Sequence, residues 1–248
     1  MTEELTATTI TMNGAGGDEI EAYLAVPDGA GAPRGSVVVI HHMPGYDSST
    51  KEIVRKFAAN GYAALMPNLY SREAPGASPD DAAAVARANG GVPDDRLVGD
   101  VSAAAAYLRA LAGSNGKVGV IGYCSGGRQS YLAACSLQLD AAVDCYGACI
   151  VNQPPDGFPL KVNAIVGLAP ELSCPLLGLF GADDKYPTPE ETAELSKVLT
   201  DLGKPHEFHT YDDAGHAFFA VNRPAYRPAA ANDGWQKLFD FYGRYLAS

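Results

Sequence analysis

The sequence predicts an α/β domain with a mainly parallel central sheet and helices on both faces, and three observations carry that prediction. Apolar, β-branched segments alternate with amphipathic ones, the pattern of strands joined by crossover helices. At 248 residues the chain is long enough for one substantial core, and α/β folds of this length are often one unit. A composition of 47% hydrophobic and 19% charged residues is that of an ordinary globular domain. One domain over residues 1–248 is therefore expected.

The elements follow in order. "TITM" and "IEAYLAVP" read as an opening hairpin, and "SVVVIHH" as an apolar strand. "STKEIVRKFAANGYAALMPNLY" gives a helix, a stop at Gly61 and a further strand. Residues 71–93 are rich in Pro, Gly and Asp, with a short helix predicted at 80–88, and residues 95–112 carry helical periodicity. "KVGVIGY" and "AAVDCYG" are the next strands, separated by the helix that follows Cys124. "CPLLGLFG" (strand), "TPEETAELSKVLTDLG" (helix), "HEFHTYD" (strand) and a last helix at 235–245 complete the alternation. Two long connections, 150–172 and 214–232, stand out, and loops of that length in a compact domain are usually functional or mobile.

Charge and cysteine content exclude several classes. A formal charge of -11 makes a polyanion a poor partner, since nucleic-acid binding relies on basic residues neutralising phosphates. No apolar run reaches the ~18 residues of a membrane span, and the opening residues do not read as a secretory leader. No membrane partner and a cytoplasmic location are the expectation. Five cysteines, Cys124, Cys135, Cys145, Cys149 and Cys174, show no paired CxxC spacing, so no metal site is expected.

The chemistry concentrates in "GYCSGG", Gly122 to Gly127. Its G-x-C-x-G spacing follows a strand and precedes a helix, the context of a nucleophile elbow. The sharp turn crowds its neighbours, so positions two residues to either side must lack bulk. The sulfur then stands at a helix N-terminus, where partial positive charge favours a thiolate. A cysteine nucleophile needs a base, and the base an orienting acid. "FGADDKYP" and "YDDAGHAFF" each follow a strand and supply them: His216 as base, and Asp184 as acid with Asp183 as the alternative. Counting from the strand end at Gly181 favours Asp184; counting back from Pro187 favours Asp183. Ser125, next after the nucleophile, offers a backbone N–H to an oxyanion.

With "SNGKVGVIGYCSGG", "YAALMPNLYSREAPG", "YDDAGHAFF" and the loop of Asp183 and Asp184, the chain resembles the dienelactone hydrolase family of the α/β-hydrolase fold over nearly its whole length. The resemblance implies hydrolysis of small lactones or carboxylic esters by a Cys124, His216 and Asp184 triad through a thioester acyl-enzyme, with no metal or organic cofactor. Position matching adds Met43 in "HHMPG" as the second oxyanion N–H. The chain departs from the family at His42, where relatives carry a glutamate; an imidazolium there would stabilise the thiolate, so His42 is expected to modulate the thiol. His41 is expected to point to the opposite face of the strand.

Substrate recognition is less marked. The family places an arginine after the catalytic histidine, where this chain has Ala220, with Arg223 three residues on. Arg223, Arg72 and Arg87 are therefore candidate partners of an acidic group. Tyr70, Tyr123, Phe218 and Phe219 are candidate apolar lining. The expected partner is a small-molecule lactone or ester, with the chain a monomer or homodimer. Two other classes stay open: a non-catalytic small-ligand receptor on the same scaffold, and a redox-sensing thiol. For the second, Cys135 is too far along its helix to pair with Cys124.

Overall fold

A computed structural model describes residues 4–28 and 34–247. Residues 1–3, 29–33 and 248, which the single-domain expectation includes, lie outside the described residues.

Eight strands form one sheet: β1 (Glu4–Asn13), β2 (Glu19–Asp28), β3 (Ser36–Ile40), β4 (Ala63–Pro67), β5 (Val118–Tyr123), β6 (Ala141–Cys145), β7 (Leu176–Gly181) and β8 (His206–Tyr211). Their order is β1-β2-β4-β3-β5-β6-β7-β8. β1 and β2 pair antiparallel, β2 joins β4 antiparallel, and every pairing from β4 through β8 is parallel. The mainly parallel sheet is thus as the alternation of segments predicts.

β3 to β7 are buried on both faces, and adjacent residues contribute to opposite cores. Val38, Ile40, Val120, Ala142 and Leu176 meet one core, which α3 (Asp94–Ala110), α4 (Ser125–Ser136) and α5 (Pro189–Asp201) cover with residues such as Leu97, Leu108, Tyr131 and Leu199. Val37, Val39, Ile121, Val143 and Leu177 meet the other, covered by Phe57 of α1 (Ser48–Ala59) and by Leu238, Phe241 and Tyr242 of α6 (Pro228–Tyr245). The period of two along a strand makes this three-layer arrangement follow from apolar runs such as "SVVVI". Phe57 is fully buried, so Phe57→Ala is expected to cost about 3–5 kcal/mol.

Helix starts are written in local chemistry. Asp47 and Thr50 form a capping box at α1, Ser78 caps α2 (Pro79–Ala88), and Thr188 with Glu191 makes a second capping box at α5. α6 begins at Pro228, seven residues before the expected start at 235. Pro at the first helical turn favours the start, and Ala230, Ala231 and Gly234 are buried there. A Cβ on Gly234 would lie 2.5 Å from the Phe219 ring, so a residue that reads as loop is a packing contact. The 150–172 connection contains a short 3-10 helix, Val166–Glu171. Among the described residues, no helix is long and apolar enough to cross a membrane.

Candidate active site

Parallel strands deliver their C-terminal ends to one edge of the sheet, and the loops after β3, β5, β7 and β8 meet there. At the centre, β5 turns into α4 through Cys124, whose φ of 59 and ψ of -121 lie where side chains are strained, at about 1–3 kcal/mol. Neighbouring glycines make the turn possible. A Cβ on Gly122 would fall 1.8 Å from the Gly126 carbonyl oxygen, and one on Gly126 would fall 2.6 Å from that of Ile40. The Cys124 N–H donates to the Cys145 carbonyl at 3.1 Å, tying the elbow to β6. Cys124 is half-buried, and the other four cysteines are buried; all five are free thiols.

His216 and Asp184 arrive from the β8 and β7 exits. The imidazole Nδ1 lies 2.9 Å from Asp184 Oδ2, and Asp184 Oδ1 accepts the Tyr186 N–H at 2.9 Å. Asp184 is 6% exposed, whereas Asp183 is exposed and its backbone N–H donates to the Ala214 carbonyl at 2.9 Å. The structure therefore brings Asp184, and not Asp183, to the histidine. Burial alone would raise the Cys124 thiol, but His216 and the backbone N–H groups of Ser125 and Met43 outweigh it and hold the thiol below its ordinary value. For His216, burial acts downward; the Asp184 carboxylate and the Cys124 sulfur outweigh it and push the imidazole up to about 10. Each of the two groups favours the other's charged form, the electrostatics of a thiolate facing an imidazolium.

The loop after β3 is braced twice. Tyr70 Oη donates to the Met43 carbonyl at 2.9 Å, which anchors the loop one peptide beyond the N–H that faces the sulfur. His41, 1% exposed, contacts the His42 carbonyl through Nδ1 at 2.9 Å and accepts the Leu69 N–H on Nε2 at 3.2 Å. Those partners fix its tautomer with the proton on Nδ1, and burial lowers its pKa to about 4.

The structure places several of the expected site residues away from the thiol. His42 Nε2 lies 3.0 Å from Asp47 Oδ2, the α1 cap, and His42 borders a cavity separate from the one at the thiol. Arg72 is held by Asp100 and Asp18 at 2.9 Å beside the β1–β2 hairpin, because the buried Asp100 carboxylate needs a counter-charge. Arg87 sits on α2 and Arg223 in an exposed turn, and neither lines the cavity at the thiol. Phe218 is fully buried in the core under α6, and Tyr123 and Phe219 border a separate cavity of about 120 Å³ beside His42. Tyr70 braces the loop and lines a small neighbouring cavity that shares Ser125, Gln129, Leu160 and Val162 with the main one.

The cavity over the thiol has a volume of about 430 Å³. Besides Met43, Cys124, Ser125, Asp183, Asp184 and His216, it is walled by Arg128 and Gln129 of α4, by Phe158, Leu160 and Val162, and by Lys185 and Tyr186. The sequence reading missed this wall. Its only signal was the length of the 150–172 connection and the apolar residues at 158, 160 and 162. Beneath the elbow, Asp144 of β6 is fully buried; Oδ1 accepts the Gly147 N–H at 2.7 Å and Oδ2 has no partner. Burial pushes its carboxyl up to about 7. Among the described residues, no group of three or more His, Cys, Asp or Glu is placed to hold a metal ion.

Comparison with known proteins shows the family. The family model described as "Dienelactone hydrolase family" matches residues 20–246. A "Putative carboxymethylenebutenolidase" of Escherichia coli (strain K12) is 33% identical over 234 residues, covering 92% of this chain and 84% of the relative. A "Carboxymethylenebutenolidase" of Pseudomonas putida is 30% identical over 217 residues, covering 86% of each. The crystal structure described as "Putative Dienelactone Hydrolase" from Klebsiella pneumoniae superposes with a TM-score of 0.85 at 27% identity, covering 98% of this chain and 100% of that one.

Proposed function

The chain belongs to the dienelactone hydrolase family and is a lactone or ester hydrolase, and from that premise we propose that it acts through Cys124, His216 and Asp184 by way of a thioester acyl-enzyme. The observation that carries this reading is the half-buried thiol at the elbow, facing the His216–Asp184 pair inside one cavity.

The Cys124 thiolate attacks the carbonyl carbon of the substrate. The Ser125 and Met43 N–H groups, already turned toward the sulfur, stabilise the oxyanion of the tetrahedral intermediate, each contributing about 2.7–4 kcal/mol. Asp184, bonded to Nδ1, leaves Nε2 as the reacting nitrogen of His216. The imidazolium protonates the departing alcohol or enol oxygen, and the thioester remains. His216, now neutral, takes a proton from water, whose oxygen attacks the thioester, and the collapse returns the thiolate and releases the acid.

The test is intact-mass analysis after brief exposure to p-nitrophenyl acetate. One acetyl group on the peptide containing Cys124, absent in Cys124→Ala, is the expected result. Turnover retained in Cys124→Ala overturns the assignment.

A further inference from the structure

We propose that this hydrolase selects uncharged esters or lactones whose acyl part carries an aromatic ring, in preference to substrates bearing a carboxylate. The inference rests on the reading of Cys124 as nucleophile and concerns what the cavity around it accepts.

Charge comes first. Among the described residues, Arg128 is the one guanidinium in the cavity wall, and it is 3% exposed. Its Nη1 and Nη2 donate to the two carboxylate oxygens of Asp94 at 2.8 and 2.9 Å, and Nη2 donates also to the Asn163 carbonyl at 2.8 Å. Its Nε has no partner but is sealed from solvent, so no donor is offered to a ligand. At the mouth, Lys185 is flanked in sequence by Asp183 and Asp184, and all three line the cavity. Lys185 and Asp183 are both exposed, so solvent screens the lysine charge. Arg72, Arg87 and Arg223 are outside the lining. A chain of charge -11 adds a field that repels anions. No guanidinium in this cavity is free to form the paired hydrogen bonds that repay the desolvation of a carboxylate.

Shape comes second. A volume of about 430 Å³ accommodates far more than a five-membered lactone ring. Met43, Leu160 and Val162 supply aliphatic wall. Phe158 and Tyr186, brought from two separate loops, meet edge to face with ring centroids 6.3 Å apart. Tyr186 is 47% exposed, a large ring left at the cavity mouth. A flat apolar group of the substrate completes an aromatic cluster there and covers surface that is otherwise wet.

The experiment compares kcat/KM for three p-nitrophenyl esters with the same leaving group: acetate, 3-phenylpropanoate and the acidic hydrogen glutarate. The phenylpropanoate is expected to exceed the glutarate by roughly 10-fold or more. Phe158→Ala and Tyr186→Ala are expected to lower the phenylpropanoate-to-acetate ratio, with Phe158→Leu and Tyr186→Leu as versions that keep apolar volume but remove the ring. Lys185→Gln is expected to leave the glutarate-to-phenylpropanoate ratio unchanged. A glutarate ester hydrolysed as fast as the phenylpropanoate, or slowed selectively by Lys185→Gln, overturns the inference. Acetylation of Cys124 without the aromatic preference overturns this inference alone. Failure of all three esters to acylate Cys124 overturns the nucleophile assignment and this inference with it.

Discussion

Two histidine–carboxylate pairs stand at the same edge of the sheet, and by distance they are nearly indistinguishable: His216–Asp184 at 2.9 Å and His42–Asp47 at 3.0 Å. They differ in which nitrogen is bonded and in what else holds the carboxylate. His216 is bonded through Nδ1, so Nε2 is left toward the thiol, and Asp184 is otherwise engaged only by the Tyr186 N–H. His42 uses Nε2, and Asp47 also receives the Thr50 N–H and hydroxyl as the α1 cap. One pair ends in a reactive group; the other ends in a helix. A short imidazole–carboxylate distance thus says little about catalysis until the remaining nitrogen is traced.

The largest expected effect comes from breaking the first pair. His216→Gln is expected to lower kcat by on the order of 10⁴-fold because the acid–base group is gone, and Asp184→Asn by roughly 10³- to 10⁴-fold because the wrong tautomer is then held toward the thiol. Asp183→Asn is expected to stay within about threefold of wild type, since an exposed carboxylate without a histidine partner has little to lose. Steady-state hydrolysis of p-nitrophenyl acetate checks all three, and equal losses for the two aspartates would erase the distinction drawn here.

The pH dependence sharpens the same contrast. Cys124 is held below the ordinary thiol value of 9.0 and His216 is raised to about 10. Activity is expected to rise with pH on a limb below 9.0, as the thiolate forms, and to fall as pH passes about 10, where the imidazolium loses its proton. His216→Gln removes a group that favours the thiolate while burial remains, so the pH midpoint of iodoacetamide labelling at Cys124 is expected to move up. His42→Ala is expected to leave that midpoint in place. A shift in His42→Ala equal to that in His216→Gln would make both pairs part of the thiol's environment.

Asp144 extends the comparison to a buried carboxyl with no histidine bonded to it. Its folded value of about 7 lies above the ordinary 3.8. Between those limits the folded state holds a proton that the unfolded state has released, so this group's contribution to stability falls as pH rises from 3.8 to about 7 and is level above it. The scale is about 1.4 kcal/mol for each pKa unit. Asp144→Asn is expected to flatten the melting temperature across that interval; an unchanged slope would mean the carboxyl is ionised in the fold. The smallest effect is His42→Ala on stability, about 1 kcal/mol by urea titration, because Asp47 keeps its contacts at the helix start.

What was legible in the sequence is what local sterics and local hydrogen bonding encode. Gly122 and Gly126 announce the elbow because any side chain there would strike backbone. Ser78, Thr188 and the prolines after them announce helix starts. Asp184 was reachable by counting from the end of β7, since three residues of tight turn leave little freedom. Arg72 was misread because its partner Asp100 is 28 positions away, and no local pattern reports such a pairing. Phe158, Leu160 and Val162 were missed for a related reason: their segment has no regular structure, so no periodicity separates a wall from a surface loop. The start of α6 was misplaced because Gly234 reads as a breaker until Phe219 is seen against it.

Arg128 joins three parts of the chain that arrive separately. It stands four positions after Cys124, its fork grips Asp94 at the start of α3, and it holds the Asn163 carbonyl at the end of the cavity wall. The grip on the wall is to main chain, so it is indifferent to the side chain at 163. Under selection for a new substrate, residues 158, 160 and 162 are free to be exchanged one at a time while the guanidinium keeps the loop at a fixed height above the sulfur. The shape of the wall and the placement of the Cys124 sulfur are thereby mechanically separable, and loss of either Asp94 or Arg128 leaves the other's charge without its partner.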